Sequence, residues 1–313
     1  MRQASILTDG ELICHDLTKI YSKSDGKKAL DSVNLTVPSH GIFSLIGMNG
    51  AGKTTLVRIL ATNLEPTSGT AQINGIDVVR EARRLRERIA IIPQEVRSVP
   101  WMTPRQSVFS YLLWRGLGYG EARSRASEAL ARLGMEQQAD ELNRKLSGGQ
   151  RRKVMVATVL AADAEITFLD EPTTGLDPLS RKGLWGSLRE IARDHFLILT
   201  THYLEEAEQL ADIIGILDRG RLAGLGTLDS LREMVKYQYS IRVPTATQTP
   251  TVEEGVTTTG RDGQTQILTS DKEAYRLSRE LLERGARFSV NRISLDDVFF
   301  HLVHADVEEA EAR

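Results

Sequence analysis

The nine residues Gly47-Met48-Asn49-Gly50-Ala51-Gly52-Lys53-Thr54-Thr55 follow directly on the apolar run Ile42-Phe43-Ser44-Leu45-Ile46. An apolar run of this length that stops at glycine reads as a strand buried on both faces of a parallel sheet. Beyond Lys53, the residues Leu56, Ile59 and Leu60 recur at helical spacing, so the glycine-rich stretch is a strand-to-helix turn. Its glycines let the backbone wrap closely round an anion and aim successive N–H groups at the oxygens. The helix that follows offers its positive end to the same anion. A chain carrying this turn belongs to the α/β class, with helices packed on a parallel sheet.

The rest of the chain supplies that sheet. Residues 12–37 read as two short strands joined by a polar turn, and residues 67–75 turn into another short strand. A polar helix around residues 80–88 leads into the strand Ile89-Ala90-Ile91-Ile92, which stops at Pro93 and Gln94. Residues 103–134 are expected to be helical, broken between Gly116 and Gly120. Ser147 can cap a helix running to about residue 161. Residues 165–171 and 196–202 are two more buried strands, separated by a helix that Pro178 opens at its first turn. Strands alternating with helices give right-handed crossovers. After about residue 226 the composition shifts to Thr and turn residues. That stretch reads as two or three strands, an amphipathic helix, a further strand and a short capped helix. The expected organisation is a main domain over 1–225, with helical residues about 95–160 as a subdomain. A small α+β unit over 226–304 and a disordered acidic tail over 305–313 follow.

Bulk properties narrow the functional classes. The chain has 313 residues, 41% of them hydrophobic, which suffices for a real core. A formal net charge of −2 gives no global attraction to nucleic acid, and no nucleic-acid partner is expected. Cys14 stands alone, cannot form an internal disulfide, and reads as a small buried apolar residue. The longest apolar stretch, residues 154–162, is too short to cross a membrane, and the N-terminal residues lack the apolar centre of a signal peptide.

The chemistry is concentrated in three places. Residues 47–55 match the P-loop (Walker A) pattern, in which Lys53 reaches the β- and γ-phosphates and the Thr54 hydroxyl is placed to ligate Mg²⁺. The strand Ile166-Thr167-Phe168-Leu169 ends in Asp170 and Glu171. Successive strand residues point to opposite sides, so the two carboxylates cannot share a task. Asp170 would hold Mg²⁺ and Glu171 would polarise or deprotonate an attacking water, unless the pair is only a solvated acidic turn. Thirdly, Ser147, Gly148 and Gly149 make a capped helix start with its first N–H groups uncovered, a second anion site in one chain.

Leu146-Ser147-Gly148-Gly149-Gln150 is also the signature sequence of ABC ATPases, and over residues 11–225 the chain resembles the ATP-binding subunit of an ABC transporter. The resemblance implies a P-loop NTPase of the ABC cassette kind, with a parallel sheet core, an antiparallel β-subdomain and a helical subdomain, using ATP and Mg²⁺. It implies that ATP is held by Gly47, Asn49, Gly50, Ala51, Gly52, Lys53, Thr54 and Thr55 of one subunit. Ser147, Gly148, Gly149 and Gln150 of a second would complete the γ-phosphate site in a head-to-tail dimer. Tyr21 would stack on adenine, although a Tyr at a strand end also serves plain packing. Gln94 would touch Mg²⁺ and link the site to a transmembrane permease. Thr174-Gly175-Leu176-Asp177 resembles the loop that crosses the dimer axis, and His202 the switch histidine that bonds the γ-phosphate.

The same resemblance places the chain at the cytoplasmic side of a membrane, as a peripheral homodimer working on a separate permease. A groove over about residues 95–119 would receive that permease; Trp101, Phe109, Tyr111 and Trp114 either line it or are ordinary helix packing. The stretch Ile293-Ser294-Leu295-Asp296-Asp297-Val298-Phe299-Phe300-His301-Leu302 resembles the C-terminal extension of drug-resistance exporter ATPases, or serves simply as a dimer-stabilising helix. An exporter of drugs, lipids or other hydrophobic compounds is therefore expected, with an importer subunit or a soluble non-transport regulator as alternatives.

Overall fold

The computed structural model describes residues 10–21, 26–93, 98–245, 250–253, 255–259 and 264–311. Gln94 lies outside them. These residues fall into two units, 1–225 and 226–313.

In the first unit, β1 (Glu11–Ile20) pairs antiparallel with β2 (Lys28–Pro38), in register Leu12↔Val37 and Cys14↔Leu35. Alternation puts Leu12, Cys14 and Leu35 inside. Burial pushes the Cys14 thiol up to about 12, which makes it an inert packing group. The buried strand β3 (Ile42–Ile46) runs into α1 (Lys53–Leu60). Next come β4 (Ser68–Ile73), which pairs antiparallel with β1, the short β5 (Ile76–Asp77) and α2 (Ala82–Arg86).

Strand β6 (Ile89–Ile92) precedes the helices α3 (Pro104–Trp114), α4 (Tyr119–Arg132) and α5 (Gly148–Ala161). The three pack together around Val108, Leu112, Ala126, Leu130 and Val154. Capping boxes open α3 and α5: Thr103 exchanges bonds with Gln106, and Ser147 with Gln150. Each such cap contributes about 1 kcal/mol to helix stability. After α5 come β7 (Ile166–Asp170), α6 (Pro178–Ile191), β8 (Phe196–Thr201), α7 (Leu204–Leu210), β9 (Ile213–Asp218) and β10 (Arg221–Gly226).

The central sheet has the order β10-β9-β3-β8-β7-β6, and β3 lies parallel to both β8 and β9. Its register decides the site. Ile46 is opposite Thr201, and Asp170 is opposite Thr200, so the chain leaves β3, β7 and β8 at one end of the sheet. In open α/β sheets that carboxyl end is where ligands bind. Residues 204–226 supply a helix and two strands absent from the sequence expectation. β9 is a buried apolar run like β3, but its Gly215 and the short turn at Asp218 to Gly220 mask the signal.

The second unit holds α8 (Leu228–Glu233), β11 (Tyr239–Pro244), β12 (Gly255–Thr259), β13 (Gln264–Thr269), α9 (Asp271–Glu283), β14 (Ser289–Arg292) and α10 (Leu295–Glu311). Its antiparallel sheet has the order β12-β13-β11-β14, and α9 buries Ala274, Leu277 and Leu281 against Ile241, Val243 and Ile267. The Ser294 amide and hydroxyl donate to Asp297 at 2.7 and 2.8 Å, and Gln266 donates to the same carboxylate at 2.6 Å. Residues 305–311, expected as an acidic tail, continue α10 to Glu311, and they contain neither Pro nor Gly to stop it.

Candidate nucleotide site

The loop between β3 and α1 is shaped by close approaches. Gly47 has φ +158, and a Cβ there would stand 2.3 Å from the Leu217 carbonyl oxygen. Gly52 sits at φ +107 as the N-cap of α1, and a Cβ there would stand 2.4 Å from the Ala29 carbonyl oxygen. Only glycine fits either position. No side chain caps α1 and its first turn contains no acid, so the opening N–H groups keep their capacity for an outside anion. Residues 49–55, with Ala29 and Glu171, line a cleft of about 340 Å³ over this helix end. The cradle therefore combines Asn49, Gly50, Ala51, Gly52, Lys53, Thr54 and Thr55 in one continuous surface.

Lys53 is buried and its ammonium donates to the Gly47 and Met48 carbonyls at 2.6 and 3.1 Å. Burial lowers its pKa, and the Glu171 and Asp170 carboxylates oppose that shift. Thr54 Oγ1 donates to Asp170 Oδ1 at 3.5 Å, and Thr200 Oγ1 donates to the same oxygen at 2.5 Å. Tyr21 is brought to the same helix, its hydroxyl 3.3 Å from Thr55 Oγ1.

Asp170 and Glu171 do diverge, but strand alternation is not the reason. The strand ends at Asp170, and Glu171 takes φ +51, a left-handed conformation uncommon for a non-glycine residue. Its N–H donates to Thr200 Oγ1 and to the Thr200 carbonyl, both at 3.1 Å. The Glu171 carboxylate accepts from Thr174 Oγ1 at 3.0 Å and lies 3.3 Å from His202 Nδ1. Sequence reasoning placed Thr174 in the loop that crosses the dimer axis but gave it no bond to Glu171, and it did not single out Thr200 or Arg152. The Arg152 guanidinium donates to the carbonyls of Asp170, Glu171 and Pro172 at 2.9, 2.7 and 2.9 Å. No local pattern marks a residue whose partners stand some twenty positions away in the chain.

The second helix end lies elsewhere. Ser147 accepts from Gln150 N at 3.2 Å and donates its own N–H to Gln150 Oε1 at 2.9 Å, so Gln150 acts as the return half of the cap. A Cβ on Gly148 would meet nothing within 4 Å, whereas one on Gly149 would touch Leu176 at 3.4 Å. Gly148 lines a separate cleft of about 720 Å³ with Arg144, Arg151, Thr174 and Gly175. Asp177 caps α6 by accepting from Leu179 N and Ser180 N, and its bonds to Ser180 hold its pKa below the usual carboxylate range. The four aromatics divide: Trp101 and Trp114 are exposed, while Phe109 and Tyr111 pack against the core.

Comparison with known proteins places this geometry. The family described as ABC transporter matches residues 30–174. The daunorubicin resistance ATP-binding protein DrrA2 of Streptomyces coeruleorubidus is 35% identical over 303 residues, covering 92% of this chain and 94% of that protein. DrrA3 of the same organism is 43% identical over 207 residues, 66% of each chain; this chain thus spans just under two thirds of that relative. Among solved structures, the dimeric post-hydrolysis cassette MJ0796 bound to ADP and Pi aligns with TM-score 0.63 at 26% identity, over 69% of this chain and 98% of the other.

Proposed function

The chain belongs to the ABC transporter family of ATPases, and we propose that it is the motor subunit of a drug-resistance-type exporter, closing with a second cassette around ATP to drive a separate transmembrane permease. One observation carries the dimer. The cleft over Lys53 is lined by residues 49–55 and Glu171, and no residue of 147–150 borders it; Gly148 opens on a different cleft. A γ-phosphate held by Lys53 thus needs a second polypeptide to bring a Ser147–Gly149 helix end to it. A two-fold pairing of identical chains would do so twice.

Within each site the residues divide the work of phosphoryl transfer to water, which needs positioning and charge neutralisation above all. Lys53 and the N–H groups of α1 hold the phosphates. Thr54 and Asp170 present hard oxygens 3.5 Å apart, which fits Mg²⁺, an ion that keeps several waters and takes few protein ligands. When bound there, Mg²⁺ offsets the phosphate charge. Among the described residues no group of three or more acidic, His or Cys side chains could hold a metal by itself, in keeping with a site completed by phosphate and water. Glu171 orients the attacking water and takes its proton, and His202, half-exposed beside it, bonds the γ-phosphate. Tyr21 offers its ring to adenine. The Ser147 contacts exist only in the closed pair, so ATP binds that state better and shifts the population towards it.

The drug-resistance class is supported by the relatives, which are named daunorubicin resistance ATP-binding proteins, and the DrrA2 match extends over most of residues 226–313. Among the described residues no helix is long and apolar enough to cross a membrane. The deciding experiment uses Glu171→Gln with ATP and Mg²⁺. We expect no turnover and an ATP-dependent dimer on size-exclusion chromatography; a monomer at saturating ATP, or turnover at the parent rate, refutes the reading. Capturing the chain from native membranes and identifying the co-purifying polytopic protein tests the exporter assignment.

A further inference from the structure

We propose that Tyr203 and Arg181 are positioning residues for the reaction: together they fix the His202 imidazole beside Glu171 and tie it to the helix behind the 174–177 loop. The inference rests on the ATPase reading given above. Among the described residues, few contacts hold His202: its ring has two partners, the Glu171 carboxylate at 3.3 Å and the Tyr203 ring, whose centroid is 4.1 Å away at an interplanar angle of 38°. An exposed imidazole with one long polar contact would otherwise sample several rotamers.

Tyr203 is itself held from a distant element. The Arg181 guanidinium carbon lies 4.0 Å from the Tyr203 ring centroid, a cation over a π-face. Arg181 stands on the first turns of α6, which is anchored by buried Leu184 and Trp185. Trp185 Nε1 donates to Glu206 Oε1 at 3.0 Å, and Glu206 is on α7, the helix that Tyr203 opens. The two helices are therefore joined twice, once by Arg181 on Tyr203 and once by Trp185 on Glu206.

The contacts close on themselves. Glu171 accepts from Thr174; Thr174 leads through Asp177, the cap of α6, to Arg181; Arg181 covers Tyr203; Tyr203 packs on His202; and His202 returns to Glu171. A displacement of the 174–177 loop therefore reaches the carboxylate and the imidazole together, by two routes. Plain packing of a tyrosine at a helix start would need neither the guanidinium nor the planar ring.

The test uses the full chain with ATP and Mg²⁺, measuring steady-state hydrolysis, and equilibrium affinity for a fluorescent ATP analogue. Tyr203→Leu and Arg181→Met are each expected to lower kcat about tenfold, equivalent to about 1.4 kcal/mol. KM and nucleotide affinity should stay within about twofold, because the lost contact orients a group without adding to ground-state binding. Tyr203→Phe, which keeps the ring, should restore kcat to within about twofold of the parent. The double variant should be no slower than the worse single one, since both break one chain of contacts. Arg181→Met keeps the proposal open to refutation if Tyr203→Leu does not fold. A parent-like kcat in the folded variants, an equal fall in affinity, or a Tyr203→Phe as slow as Tyr203→Leu overturns it. Glu171→Gln in the same assay separates the two readings. Hydrolysis that survives that change sinks the ATPase assignment of Glu171 itself, whereas hydrolysis that needs Glu171 but ignores Tyr203 and Arg181 sinks only this one.

Discussion

The Arg152 guanidinium donates to the carbonyl oxygen of Glu171 at 2.7 Å, tying the helix that opens at Ser147 to the turn that carries the carboxylate. The same side chain also takes the carbonyls of Asp170 and Pro172, so three backbone acceptors depend on it. Burial lowers its pKa, and the negative charge of Asp170 is the main influence opposing that shift. Replacement by methionine would remove all three bonds in a partly buried setting, leaving the Glu171 carbonyl with the longer bond from the Thr174 N–H at 3.3 Å. Arg152→Met is expected to reduce stability by about 2–3 kcal/mol, seen as a lower urea midpoint with an unchanged slope. A midpoint equal to the parent's would show that the three bonds are replaceable.

Lys53 offers a direct measure of phosphate binding. It is buried at the base of the cradle with backbone carbonyls as its bonded partners, and its charge is its contribution to a polyanion. Lys53→Ala should weaken nucleotide affinity about a hundredfold, in line with charge-assisted hydrogen bonds of about 1.5–3 kcal/mol. Equilibrium titration with a fluorescent ATP analogue checks it, and an unchanged affinity would remove Lys53 from the site.

Ser147 separates binding within one chain from catalysis across two. Because residues 147–150 do not border the Lys53 cleft, Ser147→Arg should abolish hydrolysis while monomer affinity for ATP stays within about twofold of the parent. Ser147 also caps α5, so the variant's thermal midpoint is measured alongside, with a cap loss of about 1 kcal/mol anticipated. Hydrolysis and monomer binding lost to the same extent would contradict the two-chain site.

Glu206 makes stability depend on pH. It is fully buried; burial pushes its carboxyl above the ordinary 4.5, with the neighbouring Thr201 and Thr173 hydroxyls and the bonded Trp185 N–H acting in the opposite direction. A raised carboxylate pKa means that the folded state holds the proton to higher pH than the unfolded chain, so stability falls as pH rises from 4.5 towards the folded value. Glu206→Gln has no such proton. The stability of the parent relative to this variant should decline across that interval, followed by urea midpoints at successive pH values. A constant difference would mean that Glu206 does not titrate on unfolding.

What could be read from the chain before folding was local chemistry. The Gly47–Thr55 run, the apolar strand into Asp170 and Glu171, the cap at Ser147 and Pro178 after Asp177 all owe their meaning to neighbours within a few positions. Propensity, capping and glycine geometry act over that range, and they sufficed for the α/β class and for the family. Residues 213–226 were less legible, because a short apolar run interrupted by Gly215 does not distinguish a strand from a turn.

Only the tertiary structure decided how those pieces face one another. The register of β3, β7 and β8 sets Gly47, Glu171 and His202 at one end of a sheet, although they are spread over some 150 positions. Glu171 turns aside because Thr200 receives its N–H, Arg152 clasps its carbonyl, and Arg181 finds Tyr203, all through contacts between distant elements. Hydrogen-bond partners and side-chain packing of this sort depend on how the strands align and the helices dock. Sequence periodicity fixes which face of an element is buried, but not which residue of another element it meets there.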